Sequence, residues 1–165
     1  MKVPRCFDSL VRLYEVMHRE LSMFGLIRYK VHLCCEVKGR LTLKGKPLAN
    51  QLVERSLTYD DEELDSVYTD DDGYFSMPAR SLKSRKPGNI LHQPVVRIIV
   101  DTEYEGEVYT LFFGNQRGIK TPLVFHQCLV SLNADLETKE TNHSLIENDG
   151  DEFDEYTVLS IVDWK

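Results

Sequence analysis

The stretch TDDDGYF, residues 69–75, places three carboxylates beside a glycine and is the first candidate for a cation site. An EF-hand calcium loop needs oxygen ligands at positions 1, 3 and 5, glycine at 6 and glutamate at 12. With Gly73 at position 6, positions 1 and 12 fall on Tyr68 and Ala79, which are not the required ligands. The flanking segments are also strand-like, whereas an EF-hand has helices there. Calcium binding is therefore disfavoured.

The alternative is that this stretch is the turn of a β-hairpin. Glycine tolerates a positive φ and aspartate side chains bond to nearby backbone N–H groups, so an Asp-Gly pair is typical of turns. In this interpretation Asp70, Asp72 and Gly73 close a hairpin between two short strands, and Phe75 points into the core. The hairpin is the prediction for this stretch.

Two further acidic runs, DDEELD at 60–65 and ENDGDEFDE at 147–155, are candidates for recognition of a partner. The second run also fails the EF-hand spacing, because positions 1 and 12 would be Leu145 and Tyr156. Both runs are predicted to be exposed loops, which either are simply solvated or contact a basic protein. The candidate partner-binding residues are Asp60, Asp61, Glu62, Glu63, Asp149, Asp151, Glu152 and Asp154.

No combination of residues predicts catalysis, a metal or a cofactor. The sequence contains neither the G-x-S-x-G elbow nor a glycine-rich phosphate loop. The histidines are scattered without metal-ligand spacing, and these are His18, His32, His92, His126 and His143. The adjacent Cys34 and Cys35 would point to opposite faces of a strand, which makes them poor joint ligands. Together with Cys6 and Cys128 they are expected to be reduced thiols, and the chain is predicted not to be an enzyme.

Composition limits the partners further. A chain of 165 residues with 42% hydrophobic residues is predicted to form a single globular domain. A net charge of −7 disfavours nucleic acid, which is bound through clustered lysine and arginine. No apolar run reaches the length of about 18 residues that a membrane span needs, and charges interrupt the N-terminal segment, so no signal peptide is predicted. The expected location is the cytoplasm.

The first 22 residues differ from the rest of the chain. Their apolar residues recur every three or four positions, which predicts a helix over residues 1–22. This helix would pack on its own domain or bind a partner. Residues 1–22 could instead be an upstream extension of the reading frame, with Met23 as the natural start. The predicted sandwich domain spans residues 23–165.

From Tyr29 onward the apolar residues alternate, which predicts strands. The first strand is expected to run from Tyr29 to Leu43 with a kink at Gly39. Further strands are predicted over residues 48–59, 66–69, 74–78, 95–104, 107–114, 125–136 and 156–164, with loops over 44–47, 60–65, 81–89, 114–121 and 137–155. Seven or eight strands with almost no internal helix predict an all-β sandwich.

Two motifs in this order resemble the transthyretin-like, or carboxypeptidase regulatory-like, β-sandwich superfamily. The motifs are V-x-G followed by G-x-P-L, and then T-D-x-D-G-x-F. The residues that carry them are Val37, Gly39, Gly45, Pro47, Leu48, Val53, Thr69, Asp70, Asp72, Gly73 and Phe75. The stretch from Met23 also resembles a small family of bacterial proteins within this superfamily, one with no assigned activity. The resemblance implies a transthyretin-like sandwich of seven or eight strands.

The enzymes of this superfamily can be compared residue by residue. Its ureide hydrolases have a histidine at the end of the first strand and end in Tyr-Arg-Gly-Ser, whereas this chain has Glu36 or Val37 there and ends in Val-Asp-Trp-Lys. No spaced set of two tyrosines and two histidines matches the iron site of the intradiol dioxygenases. The predicted function is a non-catalytic cytoplasmic protein-binding module, in particular an immunity or accessory protein for a bacterial type VI secretion toxin. The alternatives are a small hydrolase of the ureide type and a sandwich that binds carbohydrate or cell surfaces.

Overall fold

The computed structural model describes Met17 and residues 27–89, 91–149 and 152–164, and this part of the chain forms twelve β-strands. The strands and helices are β1 Tyr29–Cys34, β2 Val37–Leu43, β3 Lys46–Pro47, β4 Leu52–Thr58, β5 Glu62–Tyr68, β6 Tyr74–Met77, β7 Arg80–Ser84, a 3₁₀ turn Lys86–Gly88, β8 Val95–Tyr104, β9 Glu107–Arg117, α1 Leu123–Leu129, β10 Leu132–Asp135, β11 Thr141–Asp149 and β12 Glu152–Ser160. The helix predicted over residues 1–22 lies outside the described residues, apart from Met17.

The larger layer is an antiparallel sheet of six strands in the order β11-β12-β9-β8-β4-β5. Alternate residues of the central strands β4 and β8 are buried, as the period of two predicts. The predicted hairpin over residues 95–114 is confirmed as β8 and β9, and β9 continues to Arg117 through part of the predicted loop.

The second layer is a bent ribbon. β1 pairs with β7 and β2 pairs with β6, both antiparallel, so that two long segments run side by side. The ribbon bends where Cys35 and Glu36 on one segment lie opposite Pro78 and Ala79 on the other. β2 also pairs with β10 in parallel and with β3 through a tight turn at Lys44 and Gly45. The prediction of one strand kinked at Gly39 is wrong, because the break falls at residues 35–36. The facing segment has Pro78 there, which has no backbone N–H to donate to the ladder.

The two layers enclose one hydrophobic core, which makes the fold an all-β sandwich. Gly39 shows how closely the strands of the second layer approach, since a Cβ there would lie 2.1 Å from the carbonyl oxygen of Leu132 and 2.7 Å from the Phe75 ring. Phe75 is buried, in agreement with its predicted core position. The described residues contain twelve strands, where seven or eight were predicted, because several predicted loops form strands.

The prediction that TDDDGYF closes a hairpin is wrong. β5 pairs with β4 and β6 pairs with β2, so the stretch crosses from one layer to the other. The tight turn itself is present: the Gly73 N–H donates to the Asp70 carbonyl oxygen at 3.0 Å, and Asp70 Oδ1 accepts from the N–H groups of Asp72 and Tyr74. Gly73 has φ 81° and a Cβ there would meet the carbonyl oxygen of Leu41 at 2.4 Å, so the turn rests directly on β2.

Four other predicted elements need correction. Residues 62–65, residues 81–84 and most of residues 141–155 were predicted as loops but are strands. Their backbone groups pair with neighbours that are distant in sequence or across a hairpin. Residues 125–136 were predicted as one strand but form α1 and then β10. Phe125, Cys128 and Leu129 are the buried face of α1, and their spacing of three and four residues is helical.

Candidate functional site

The two acidic runs lie at the same end of the six-stranded sheet. Thr58, the last residue of β4, pairs with Arg97, and Val95 pairs with Arg117 at the start of the β8–β9 ladder. Arg117 in turn contacts Asp154 of β12. Because β8 and β9 separate β4 from β12, the strand that leads into the first run and the strand that carries Asp154 are three strand spacings apart, or about 14 Å. We call this end, with residues 60–63, the backbone pair Asp149 and Glu152, and Asp154, the acidic end.

In the first run, only part of the charge is neutralised by the chain itself. Asp60 forms an ion pair with Lys86, and Glu62 accepts a hydrogen bond of 2.5 Å from the hydroxyl of Ser56. Asp61 and Glu63 are exposed, and within the described residues their carboxylates have no hydrogen bond or ion pair. Those two carboxylates are open to a partner.

The second run is the end of the β11–β12 hairpin. Asp149 and Glu152 form the last backbone pair of the hairpin, and Asp151 lies outside the described residues. Asp154 is half exposed and forms an ion pair of 3.2 Å with Arg117. The prediction of a loop is wrong here as well, because the described residues of this run belong to a hairpin.

A strand edge that no other described strand covers adjoins the acidic end. β5 is the last strand of the six-stranded sheet and pairs on one side with β4. Two large side chains project from its outer face, Leu64 at 72% exposure and Tyr68 at 60% exposure. An exposed edge with apolar side chains can accept an extended segment of a partner by strand addition.

A charge cluster around one buried arginine was not predicted from the sequence. Arg55 of β4 is 0% exposed and forms two hydrogen bonds with Asp65 of β5, from Nε at 2.9 Å and from Nη2 at 2.6 Å. Arg80 of β7 binds the same carboxylate at 2.9 Å, so the cluster ties both layers together. The hydrogen bonds from Arg55 hold the pKa of Asp65 below its ordinary value, although partial burial opposes this. The strand alternation, which places Arg55 between inward-facing Val53 and Leu57, was the available signal.

The outer face of the second layer carries a groove. Two adjoining cavities of about 500 and 480 Å³ share Tyr74 and Asn133 as lining residues. The Arg40 guanidinium lies 5.0 Å from the centre of the Tyr74 ring and its Nε donates to the Asp72 carbonyl oxygen at 2.8 Å, which orients the exposed tyrosine. Tyr68 lines the same groove, so two exposed aromatic rings border it.

A cleft of about 700 Å³ lies at the bend of the ribbon, beside α1. It is lined by His32, Cys35, Glu36, Pro78, Ala79, Lys120, Thr121 and His126. The loop before α1 is fastened here, because the His32 N–H donates to the Ile119 carbonyl oxygen at 2.9 Å. The Thr121 hydroxyl is buried and finds no hydrogen-bond partner among the described residues.

The cleft brings together two histidines, the arrangement that the hydrolase alternative requires. Neither the His32 ring nor the His126 ring forms a hydrogen bond with another described residue. A catalytic histidine is usually oriented by such a bond.

The described residues contain no group of three or more histidine, cysteine or carboxylate side chains placed to hold a metal ion. Within that same part of the chain, no helix combines the length and apolar character needed to cross a membrane.

The comparisons with known proteins identify a family. A family model described as "Domain of unknown function (DUF6795)" matches residues 37–139, from β2 to just before β11. This span contains the first acidic run, β5 and most of the groove, whereas the β11–β12 hairpin lies beyond it. No curated protein and no solved structure matches the chain.

Proposed function

The chain belongs to the DUF6795 family, and from that premise we propose that it is a non-catalytic module that binds a basic protein through the acidic end. The observation that carries the proposal is that the fold brings two acidic runs, far apart in sequence, to one end of one sheet. The transthyretin-like resemblance is part of the proposal, because it relates the chain to sandwich domains that need no catalytic residues.

Electrostatics gives the acidic end its proposed role. With a net charge of −7 and the unpaired carboxylates of Asp61 and Glu63, this end attracts a cationic surface during diffusional encounter. Leu64 and Tyr68 on the adjoining edge supply apolar contact, and the β5 backbone offers hydrogen bonds to an extended segment. Charge would then determine the association rate, and the edge would determine the lifetime of the complex.

The most specific version of the proposal is an immunity or accessory protein that neutralises a bacterial type VI secretion toxin in the cytoplasm. A toxin domain with a cationic active site can be inhibited by carboxylates that cover it. The partner to test is therefore a basic toxin domain encoded beside the gene for this chain.

The test measures the association rate of the purified pair at low and high salt. The double variant Asp61→Lys with Glu63→Lys should lower the association rate at least tenfold at low salt, and charge reversal at Asp149, Asp151 and Glu152 should act in the same direction. The matched control reverses Glu103 and Glu105, at the opposite end of the same sheet, and should change the rate less than twofold. Absence of a stoichiometric complex, or equal effects of the two double variants, would contradict the proposal.

A second candidate is carbohydrate binding in the groove of the second layer, and the two exposed tyrosines support it. Tyrosine rings stack on sugar faces, and the side-chain amide of Asn133, which has no hydrogen bond with other described residues, can bind hydroxyls. Binding on a glycan array that disappears with Tyr74→Ala and persists with the control Tyr109→Ala would establish it. An array with no bound glycan would reject it.

A further inference from the structure

We propose that Cys35 is a modification site, whose thiol exchanges with low-molecular-weight disulfides that enter the cleft at the ribbon bend. The proposal is independent of protein binding at the acidic end. It rests on the position of Cys35 in the cleft, on the neighbouring Cys34, and on the buried Arg55 behind them.

The bend places both adjacent thiols together. β1 ends at Cys34, its register shifts between His32 and Cys34, and Cys35 and Glu36 lie between β1 and β2. Strand alternation is interrupted there, so the two cysteines do not simply face opposite sides of the sheet as expected from the sequence. Cys34 is 1% exposed and belongs to the core, whereas Cys35 is partly exposed and lines the cleft.

The surroundings favour the thiolate of Cys35. The Cys34 thiol donates a hydrogen bond to the Cys35 sulfur and lowers its pKa, with burial and the nearby Glu36 opposing the shift and the charge of Arg55 supporting it. The same contact, with burial, raises the pKa of Cys34, so the proton of the pair remains on Cys34. Across the cleft, the titratable groups that face Cys35 are His32, Lys120 and His126.

Arg55 provides an observation of another kind. Its side chain is fully buried, and Nη1 has no hydrogen-bond partner among the described residues. Asp65 occupies only Nε and Nη2. The positive charge of Arg55 therefore lies beside the cysteine pair and favours negative charge on its sulfur atoms.

The proposed step is thiol–disulfide exchange with oxidised glutathione as the probe. Cys35 loses its proton to solvent, and its sulfur attacks one sulfur of glutathione disulfide. A sulfur–sulfur bond to Cys35 forms, the glutathione sulfur–sulfur bond breaks, and one glutathione leaves as a thiolate that takes a proton from solvent. The products are Cys35 carrying one glutathionyl group and one reduced glutathione, so atoms and electrons balance.

Cys128 is the internal comparison. It is buried in α1, and burial raises its pKa to about 11. Exchange depends on the thiolate fraction and on access to the sulfur, so we expect Cys35 to react at least about tenfold faster than Cys128 at neutral pH.

The experiment follows glutathionylation of the folded full chain by time-resolved peptide mass spectrometry. Cys34 and Cys35 occur in one tryptic peptide, VHLCCEVK, so the variants Cys34→Ser and Cys35→Ser assign the modified residue. We expect one adduct on this peptide, its loss in Cys35→Ser and its retention in Cys34→Ser at a lower rate. Equal rates for this peptide and the Cys128 peptide in the unsubstituted protein, or an adduct that persists in Cys35→Ser, would overturn the proposal.

A second variant tests the cleft without changing a cysteine. Ala79→Trp puts a bulky side chain at an exposed position that lines the cleft. It should slow the reaction with glutathione disulfide at least fivefold and leave the reaction with the small reagent iodoacetamide within twofold. Equal slowing of both reagents would show that the cleft does not control access, and the proposed route would be wrong.

Discussion

Asp65 and Asp154 both form ion pairs with an arginine, but they do so in very different surroundings. Asp65 binds Arg55, whose side chain is 0% exposed, through two hydrogen bonds. Asp154 binds Arg117 at 3.2 Å, and both side chains are half exposed. Solvent screens the second pair and leaves its groups available to a partner, whereas the first pair cannot separate without leaving a buried charge. Burial therefore decides which carboxylates hold the fold together and which can serve recognition.

The largest expected effect follows from breaking the buried pair. Asp65→Asn should lower the free energy of unfolding by about 3 kcal/mol, because it leaves the Arg55 charge buried without its counter-charge. Urea unfolding followed by circular dichroism measures the loss. A change below about 1 kcal/mol would show that Arg55 reaches solvent or another acceptor, and the contrast with Asp154 would disappear.

A double variant sharpens the same point. Arg55→Met removes the buried charge and keeps much of the side-chain volume, so combining it with Asp65→Asn should restore at least about 1 kcal/mol relative to Asp65→Asn alone. The same unfolding measurement applies. If the two substitutions changed the free energy of unfolding additively, the loss of stability in Asp65→Asn would not come from the buried Arg55 charge without its counter-charge.

The pH dependence of stability gives a smaller effect. The pKa of Asp65 is lower in the folded than in the unfolded chain, so its contribution is complete above the ordinary aspartate pKa of about 4 and is lost as the pH falls through the lower folded value. The stability difference between the unsubstituted protein and Asp65→Asn should therefore shrink between pH 5 and pH 2. A difference that stays constant over this interval would contradict the assignment.

The smallest effect is expected at the acidic end. Asp154→Asn should change the free energy of unfolding by less than about 0.5 kcal/mol, since exposed pairs are screened and their side chains lose conformational freedom on pairing. Urea unfolding at about 50 mM and about 500 mM salt tests the screening. A loss comparable to that of Asp65→Asn would place Asp154 among the structural residues.

The transition between the two layers shows where sequence reasoning failed. TDDDGYF has the residues of a tight turn, and the hydrogen bonds of Asp70 and the positive φ of Gly73 are those of a turn. A turn motif does not reveal whether the strands on either side pair with each other. Here they pair with β4 and β2 instead, because each side buries its apolar residues in a different layer.

The acidic runs were recognised by composition but assigned the wrong structure. Glu62 and Glu63 begin β5, and Glu147 and Asp154 pair within the β11–β12 hairpin. Charged residues are depleted in strands on average, yet an edge strand tolerates them because one side of it faces water. Only the pairing partners could reveal that these runs are strands.

The sequence by itself determined the all-β class, the turn at Lys44 and Gly45, the β8–β9 hairpin and the burial of Phe75. Each depends on local information: alternation of apolar residues, or residues that allow a positive φ. The tertiary structure decided the bend at residues 35–36, the meeting of Arg55 with Asp65 and Arg80, and the shared end of the two acidic runs. These depend on contacts between distant parts of the chain, which form only when both layers close over one core, and a local pattern contains no information about its distant partner.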